Sequence, residues 1–286
     1  MIPFAPERVC SSVFGEWILL REVESPRGGQ KLALDLAHTE LAARAVRGAL
    51  LRHADDPPPA VLSGHFPDGR PLDRPHAAFL ALPAASPAGP GRSIAGVAIV
   101  LPRDVQEPDR QAILLAAEHW QRHGLRLLLG RHGVALLEPV PSADPADPAH
   151  RADPFDAAGW TAPSQRWASV TPVALDRNPG ELFARDPEVA AEAAGQARET
   201  LARACERVGL PRPVSIRLSS RPFLAGVPNA ARYGPFTGNG KGLKRVCVHT
   251  ELVFGEPIAG PVLLGAGRYF GVGLLAPVGS TGEACR

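Results

Sequence analysis

Residues 260–275 read GPVLLGAGRYFGVGLL, an apolar run that glycine interrupts at five positions. Valine and leucine on both sides of the glycines predict two short strands within residues 262–275, joined by a glycine-rich loop. A glycine backbone can approach a bulky ligand closely, and its amide N–H groups can point at phosphate oxygens. The end of the chain is therefore predicted to form a strand pair that carries a binding loop.

Residues 211–250, just upstream, carry charge of one sign. They contain no Asp or Glu and seven basic residues, namely Arg212, Arg217, Arg221, Arg232, Lys241, Lys244 and Arg245. Because the net charge of the whole chain is only +2, this placement concentrates positive potential, which attracts polyanions such as nucleic-acid backbones. RNA or DNA is therefore the first partner to expect, although residues 238–245, GNGKGLKR, also suit a solvated hairpin loop.

The second half of the chain is predicted to contain strands around one helix. Residues 164–175 indicate a strand in which Pro172 marks an edge or a bulge. Residues 186–208 predict an Ala-rich helix that ends before a glycine. Alternating apolar residues predict two further strands, over 213–219 and 244–254.

The first half is predicted to be a ferredoxin-type βαββαβ unit. Hydrophobic periodicity and turn residues give the order strand 16–24, helix 31–53, two short strands within 61–82, strand 93–101, helix 107–122 and a hairpin over 125–130 and 134–140. Residues 141–159 are rich in Pro and Asp and predict an exposed linker. We therefore expect an α+β protein with tandem ferredoxin-like domains over 1–140 and 160–286, and a cleft between them.

Length and composition exclude several classes of protein. The 286 residues are 45% apolar and 21% charged, which is typical of a globular chain with a real core. No run of eighteen apolar residues and no signal-peptide pattern occurs, so we expect no membrane partner and a cytoplasmic location. The four cysteines are scattered, which argues against a zinc ribbon and suits a reducing compartment.

The loop sequence GAGRYFGVG, residues 265–273, resembles the glycine-rich loop of the RAMP proteins of CRISPR systems, a superfamily of tandem ferredoxin-like (RRM/RAMP-type) folds. Three stretches resemble the RNA-processing half of the type I-U (I-G) RAMP fusion protein: SGHFPDGRPLDRPHAAF (63–79), WTAPSQRWASVTPV (160–173) and GPVLLGAGRYFG (260–271). They occur in that family's order. The fusion usually carries a further module upstream, so the resemblance implies either a stand-alone processing subunit or an excised half.

The resemblance implies an endoribonuclease of antiviral defence that needs no metal or other cofactor. Such an enzyme binds the repeat of precursor CRISPR RNA and cuts it to leave a 2′,3′-cyclic phosphate. The expected partners are the repeat RNA, the guide RNA produced from it and, within a type I effector complex, other protein subunits.

Histidine is the residue type that this chemistry requires. RNA carries its own nucleophile, the 2′-hydroxyl, so the protein has to move protons and stabilise phosphorane charge. His65 and His76 bracket the predicted turn at 67–71, which would bring two imidazoles to one phosphate. His38 lies on the first helix, where related processing enzymes sometimes carry a catalytic histidine. The alternatives are a hairpin-fixing role for one of the pair and a surface position for His38.

The predicted RNA-binding residues fall into two groups. Cations that would hold phosphates are Arg70, Arg74, Arg232, Lys241, Lys244 and Arg245. Residues of the glycine-rich loop that would contact the strand are Gly265, Gly267, Arg268, Tyr269, Gly271 and Gly273.

Two other functions remain open from sequence. One is a non-catalytic guide-RNA-binding subunit of a CRISPR effector complex, which needs the basic surface but no working histidine. The other is a metabolic enzyme that binds a nucleotide or sugar phosphate. Residues 265–273 match neither a Walker motif nor a dinucleotide fingerprint, because they lie late in the chain with no helix predicted after them.

Overall fold

A computed structural model describes residues 9–24, 31–84, 91–140, 155–237 and 244–279. Within those ranges the chain has a mixed α+β structure with two sheets, as the sequence predicts. None of the helices in those ranges has both the length and the apolar character needed to cross a lipid bilayer.

The first sheet contains most strands of the first half. After β1 (Cys10–Ser11), which joins the second sheet, the elements are β2 (Phe14–Val23), α1 (Thr39–His53), α2 (Ala60–Ser63), β3 (Ala78–Pro83), β4 (Ile94–Pro102), α3 (Glu107–Arg122), β5 (Arg126–Leu128) and β6 (Val134–Pro139). The strand order is β3-β4-β2-β6-β5, with every neighbouring pair antiparallel. Helix α1 packs on β3 and on α3 through a stripe of buried alanine, valine and leucine side chains.

The second sheet is built around one long strand. Its half of the chain comprises α4 (Ala157–Thr161), β7 (Ser164–Ser169), β8 (Val173–Ala174), α5 (Pro187–Arg207), β9 (Ser215–Ser219), β10 (Cys247–Ala259), β11 (Val262–Leu263) and β12 (Leu274–Pro277). The order is β1-β10-β7-β12-β11, and β8 and β9 also pair with β10. The predicted strand pair around the glycine-rich loop is confirmed as β11 and β12.

The two sheets share one strand order. In the first, β2 lies between β4 and the β5–β6 hairpin, with β3 at the outer edge. In the second, β7 lies between β10 and β12, with β9 on the far side of β10. Both follow the βαββαβ pattern predicted for the first half. In the second half, the second helix of the pattern is replaced by residues 264–273, which include the 3₁₀ turn Arg268–Phe270.

The predicted first helix begins eight residues too early. Asp35 instead forms a β-bridge with Ser93, and on either side of it the Leu36 N–H donates to the Arg92 carbonyl and the Ile94 N–H donates to the Leu34 carbonyl. The Asp35 side chain then accepts the Ala37 N–H, which starts a 3₁₀ turn that leads into α1. Apolar residues in an extended segment beside a sheet satisfied the same periodicity as a helix, so the pattern could not separate the two.

The two short strands predicted within residues 61–82 form only in part. The first is replaced by α2, which ends at Gly64 with a left-handed φ of 74°. His65 and Pro71 form a single β-bridge around the turn, and β3 then pairs with β4. The predicted strand over 164–175 likewise breaks into β7 and β8 around Pro172.

The predicted linker ends earlier than expected. Residues 141–154 lie outside the described ranges, but Phe155 is buried and α4 begins at Ala157, capped by the Asp156 side chain. Phe155 packs against Gly96 of β4, where an added Cβ would lie 2.7 Å from its ring. This aromatic contact gives residues 155–159 a packed position in place of the exposed connector that Pro and Asp content predicts.

The glycine-rich loop joins the two halves. Gly271 lies against the outer edge of β3, where an added Cβ would be 3.2 Å from the Phe79 carbonyl oxygen. The Thr171 hydroxyl donates to the Gly271 carbonyl and accepts from the N–H groups of Gly273 and Leu274. The loop thereby covers a sheet edge that would otherwise be open to pairing with another chain.

Candidate functional site

His76 lies two residues before the start of β3, and its ring contacts three neighbours. Its Nδ1 is 3.1 Å from the carbonyl oxygen of Ala77, so Nδ1 carries the proton and Nε2 is the free acceptor in the neutral ring. Gly64 packs against the imidazole, and a Cβ at that position would lie 3.0 Å from Nε2. The third neighbour is an aromatic ring from the other half of the chain.

That ring belongs to Tyr269 of the glycine-rich loop. Its centroid is 3.5 Å from that of His76, with an interplanar angle of 21°, which is a stacked pair. The Arg268 guanidinium lies over the Tyr269 ring at 4.5 Å and donates to the Gly265 carbonyl at 3.0 Å. The 3₁₀ turn thus presents a cation and an aromatic ring to the histidine.

Helix α1 adds a second cation. Arg47 donates from Nη2 to the Ser63 carbonyl oxygen at 2.5 Å. The same carbonyl is 3.1 Å from Nδ1 of His65, and the Ser63 hydroxyl donates to the His65 carbonyl at 2.8 Å. The end of α2 therefore fixes His65 and Arg47 together. We call the group His65, His76, Arg47, Arg268 and Tyr269 the junction cluster.

The junction cluster is electropositive. Burial lowers the pKa of His76 to about 4, and the charges of Arg268 and Arg47 act in the same direction, against the hydrogen bond to Ala77. Burial also lowers the pKa of Arg47, with a smaller effect from the charge of Arg44. Within the described ranges neither Arg47 nor Arg268 has a carboxylate partner. Two guanidinium groups without carboxylate partners in the described ranges are suited to bind an anion, and a neutral imidazole beside them is suited to accept a proton from a hydroxyl group next to that anion.

The four loop glycines are buried rather than open to a ligand. A Cβ at Gly265 would overlap the carbonyl oxygen of Ala174, and one at Gly273 would overlap that of Leu264. Added Cβ atoms at Gly267 and Gly271 would lie 2.6 Å from Val272 and 2.8 Å from Thr39. Close packing of protein on protein therefore accounts for these glycines, whereas the sequence suggested an approach to RNA.

The positive charge of residues 211–250 is offset in part by carboxylates from elsewhere in the chain. Arg212 pairs with Glu199 and Glu206, while Arg217 pairs with Glu251. These carboxylates come from α5 and β10, so the sequence segment itself did not reveal them. These two cations therefore have carboxylate partners, and Arg217 shares Glu251 with Arg166.

The other predicted cations in the described ranges contact groups outside the junction cluster or are exposed. Arg232 pairs with Asp35 at 3.4 Å, and Arg245 donates to the Asp176 carbonyl oxygen. Arg74 faces Asp109 at 3.8 Å, whereas Lys244 is exposed. Lys241 lies outside the described residues. Arg70 sits on the turn that follows His65.

His38 does not join His65 and His76 around one acceptor. It lies just before α1, where its ring centroid is 4.8 Å from that of His132, and its Nδ1 faces the Asp35 carbonyl at 3.2 Å. Of the three predicted catalytic histidines, the structure brings together His65 and His76.

Arg47 was not predicted as a site residue from the sequence. Arg44 and Arg47 are three residues apart on α1 and therefore share one helix face. Arg44 lies over the Phe270 ring at 4.4 Å, so this face meets the glycine-rich loop. The spacing was available in the sequence, but only the contact with the loop distinguishes it from a solvated helix face.

His249 is a buried, hydrogen-bonded core residue. Its Nδ1 is 2.9 Å from the Ser169 hydroxyl and its Nε2 is 3.0 Å from the Pro228 carbonyl oxygen. Burial lowers its pKa to about 4, against both hydrogen bonds.

The low pKa values of His76 and His249 make folding pH-dependent. Unfolded histidine titrates near pH 6.5, so acidification protonates the unfolded chain first and stability is lost as the pH falls from about 6.5 towards 4. We expect the free energy of unfolding to fall by roughly 2–4 kcal/mol between pH 7 and pH 5. Urea unfolding at both values measures this. His249→Gln should reduce the pH-dependent part by about half, and an unchanged dependence would contradict the assignment.

No curated protein matches the chain. A solved structure described as "Crystal structure of Cas6b" is 11% identical, with a TM-score of 0.45 over 92% of this chain and 100% of that one. That similarity is too remote to assign a function. The family model described as CRISPR-associated protein, GSU0054 family, matches residues 21–277. The chain therefore belongs to the GSU0054 family of CRISPR-associated proteins.

Proposed function

We propose that this protein binds the repeat of precursor CRISPR RNA and cleaves it at the junction cluster to produce guide RNA. The reaction is attack of the 2′-hydroxyl on the adjacent phosphorus. The new bond joins the 2′-oxygen to phosphorus and the bond from phosphorus to the 5′-oxygen breaks. The products are a 2′,3′-cyclic phosphate and a 5′-hydroxyl.

His76 is the proton acceptor in this proposal. Its low pKa keeps the ring neutral at pH 7, and the Ala77 carbonyl holds the proton on Nδ1, so Nε2 takes the proton of the 2′-hydroxyl. His65 acts as an imidazolium in this step: it gives the proton on Nε2 to the departing 5′-oxygen and becomes neutral. Its Nδ1 is anchored to the Ser63 carbonyl, which leaves Nε2 for that transfer. After both steps His76 carries the extra proton and His65 is neutral. Proton exchange with water then restores the starting forms of the two histidines.

Arg47 and Arg268 hold the phosphate in this proposal. Both guanidinium groups are tethered to backbone carbonyls and neither has a carboxylate partner within the described part of the chain. Desolvation makes an unpaired arginine costly, so a bound anion relieves it. The same charges stabilise the phosphorane as negative charge builds up on it.

One observation supports this function above the rest. His76, from the first half of the chain, stacks on Tyr269, from the second half, in a member of a CRISPR-associated family; Arg268 lies over the tyrosine ring and the charge of Arg47 acts on the histidine. Membership of a CRISPR-associated family supports CRISPR RNA as the substrate. The stacked pair supports proton transfer, because it holds a neutral imidazole beside arginines that have no carboxylate partner in the described ranges.

A second candidate is a guide-RNA-binding subunit without catalytic activity. The observation that favours it is the close packing of His76 between Gly64 and Tyr269, which restricts access to Nε2. Under this alternative the cluster binds a phosphate and leaves it intact.

The test is incubation of the purified protein with synthetic RNA of the repeat from the adjacent CRISPR array, in EDTA. We expect one cut that leaves a cyclic phosphate, and no cut when the nucleotide before the cleaved bond carries a 2′-deoxy sugar. Tight binding with no product would support the second candidate. Absence of both binding and cleavage would refute both.

A further inference from the structure

The turn that follows His65 exposes an aromatic ring and a guanidinium together. Phe66 exposes 36% of its surface, and the side chain of Arg70 exposes 76%. The guanidinium carbon of Arg70 lies 5.4 Å from the centre of the Phe66 ring.

The backbone holds this pair in one arrangement. Phe66 N–H donates to the Arg70 carbonyl at 2.8 Å, and Gly69 N–H donates to the Phe66 carbonyl at 2.9 Å. Asp68 accepts from both the backbone N–H and Nε of Arg70, at 3.0 and 2.6 Å. Arg70 is thereby fixed over the ring before any ligand arrives, which lowers the entropic cost of binding.

We propose that the Phe66–Arg70 turn is a stacking platform for an unpaired nucleobase next to the cleaved phosphate. This rests on the proposed function and adds a specificity element to it. Unpaired bases in RNA are recognised by stacking on aromatic rings and on guanidinium planes. Here a base extends the stack of Phe66 and Arg70, and the pair selects an unstacked nucleotide over a paired one.

The position of the turn supports this partner. His65 immediately precedes Phe66, and its backbone forms a bridge with Pro71 at the other side of the turn. A nucleotide carries its base and its phosphate on the same sugar, so a strand held at His65 brings a flanking base to the turn. A protein partner would need a larger apolar surface than one half-exposed ring provides.

The experiment uses repeat RNA in which the nucleotide before the cut is 2′-deoxy, with 2-aminopurine placed in turn at each unpaired position. We expect wild-type protein to quench one position strongly. Phe66→Ala should lose that quenching and bind the RNA about 5- to 100-fold more weakly. Arg70→Ala should give the same loss at the same position.

Phe183→Ala is the matched control, because Phe183 is 59% exposed on a loop of the other half. It should leave quenching and affinity unchanged. If Phe66→Ala behaves like Phe183→Ala while wild-type protein binds the RNA, the platform is refuted and the proposed function stands. If wild-type protein does not bind the RNA, both fail.

Discussion

His76→Asn is expected to slow cleavage of repeat RNA by about 10²- to 10⁴-fold. The asparagine amide can still donate to the Ala77 carbonyl, as Nδ1 does in the histidine, but no atom replaces Nε2. The variant therefore removes the proton acceptor while it retains the local hydrogen bond. Single-turnover cleavage rates and RNA affinities, measured on the same preparation, give the result. Affinity should stay within about threefold, because Arg47 and Arg268 remain.

His123→Asn provides the control for this variant. His123 is exposed at the end of α3, its Nδ1 donates to the His119 carbonyl of that helix and its ring lies beside that of His53, outside the junction cluster, so the cleavage rate should not change. An unchanged rate in His76→Asn would remove His76 as the acceptor. An equal loss of affinity and rate would indicate a structural role for the ring.

Gly273→Ala is expected to lower the free energy of unfolding by about 2–5 kcal/mol. Gly273 has a φ of 104°, which L side chains rarely adopt, and an added Cβ would overlap the Leu264 carbonyl oxygen between β11 and β12. The three nearest atoms all belong to the backbone of Leu264, which cannot rotate away as a flexible side chain could. Thermal or urea unfolding at pH 7 measures the effect.

Gly195→Ala is the opposite case. Gly195 is exposed within α5, and an added Cβ would meet no atom within 4 Å, so the substitution should stabilise the protein by about 0.5–1 kcal/mol.

If Gly273→Ala folded as stably as the original chain and bound RNA more weakly, the loop glycines would be ligand contacts, as the sequence suggested, and their packing role would be wrong.

Elements with strong periodicity were predictable. Helix α3 has the bounds that the sequence indicated. The observed bounds of α5 and β4 differ from the predicted ones by one residue at each end. Each has a clear start or stop, such as Pro108 in the first turn of α3. Residues 61–77 were harder, because the proline-rich turn masks a four-residue helix whose end at Gly64 depends on the packing of His76.

The candidate site depends on contacts that one sequence cannot reveal. His76 and Tyr269 were both identified from local motifs, but nothing local shows that the glycine-rich loop stacks one on the other. Arg217 illustrates the converse. It belongs to a segment without carboxylates, yet the register of β9 on β10 places it directly opposite Glu251. Charge along a sequence therefore predicts surface potential only when strand pairing is known.

The most direct test of the junction cluster is the titration of His76 in the presence of RNA. The Cε1–H signals of ¹³C-labelled histidine are followed by NMR from pH 4 to 8, with and without 2′-deoxy repeat RNA. A phosphate beside the ring favours its protonated form, so the pKa of His76 should rise from about 4 by one unit or more, while that of buried His249 stays unchanged. RNA that binds tightly but leaves the titration of His76 unaltered would show that the phosphate lies elsewhere and would contradict the account.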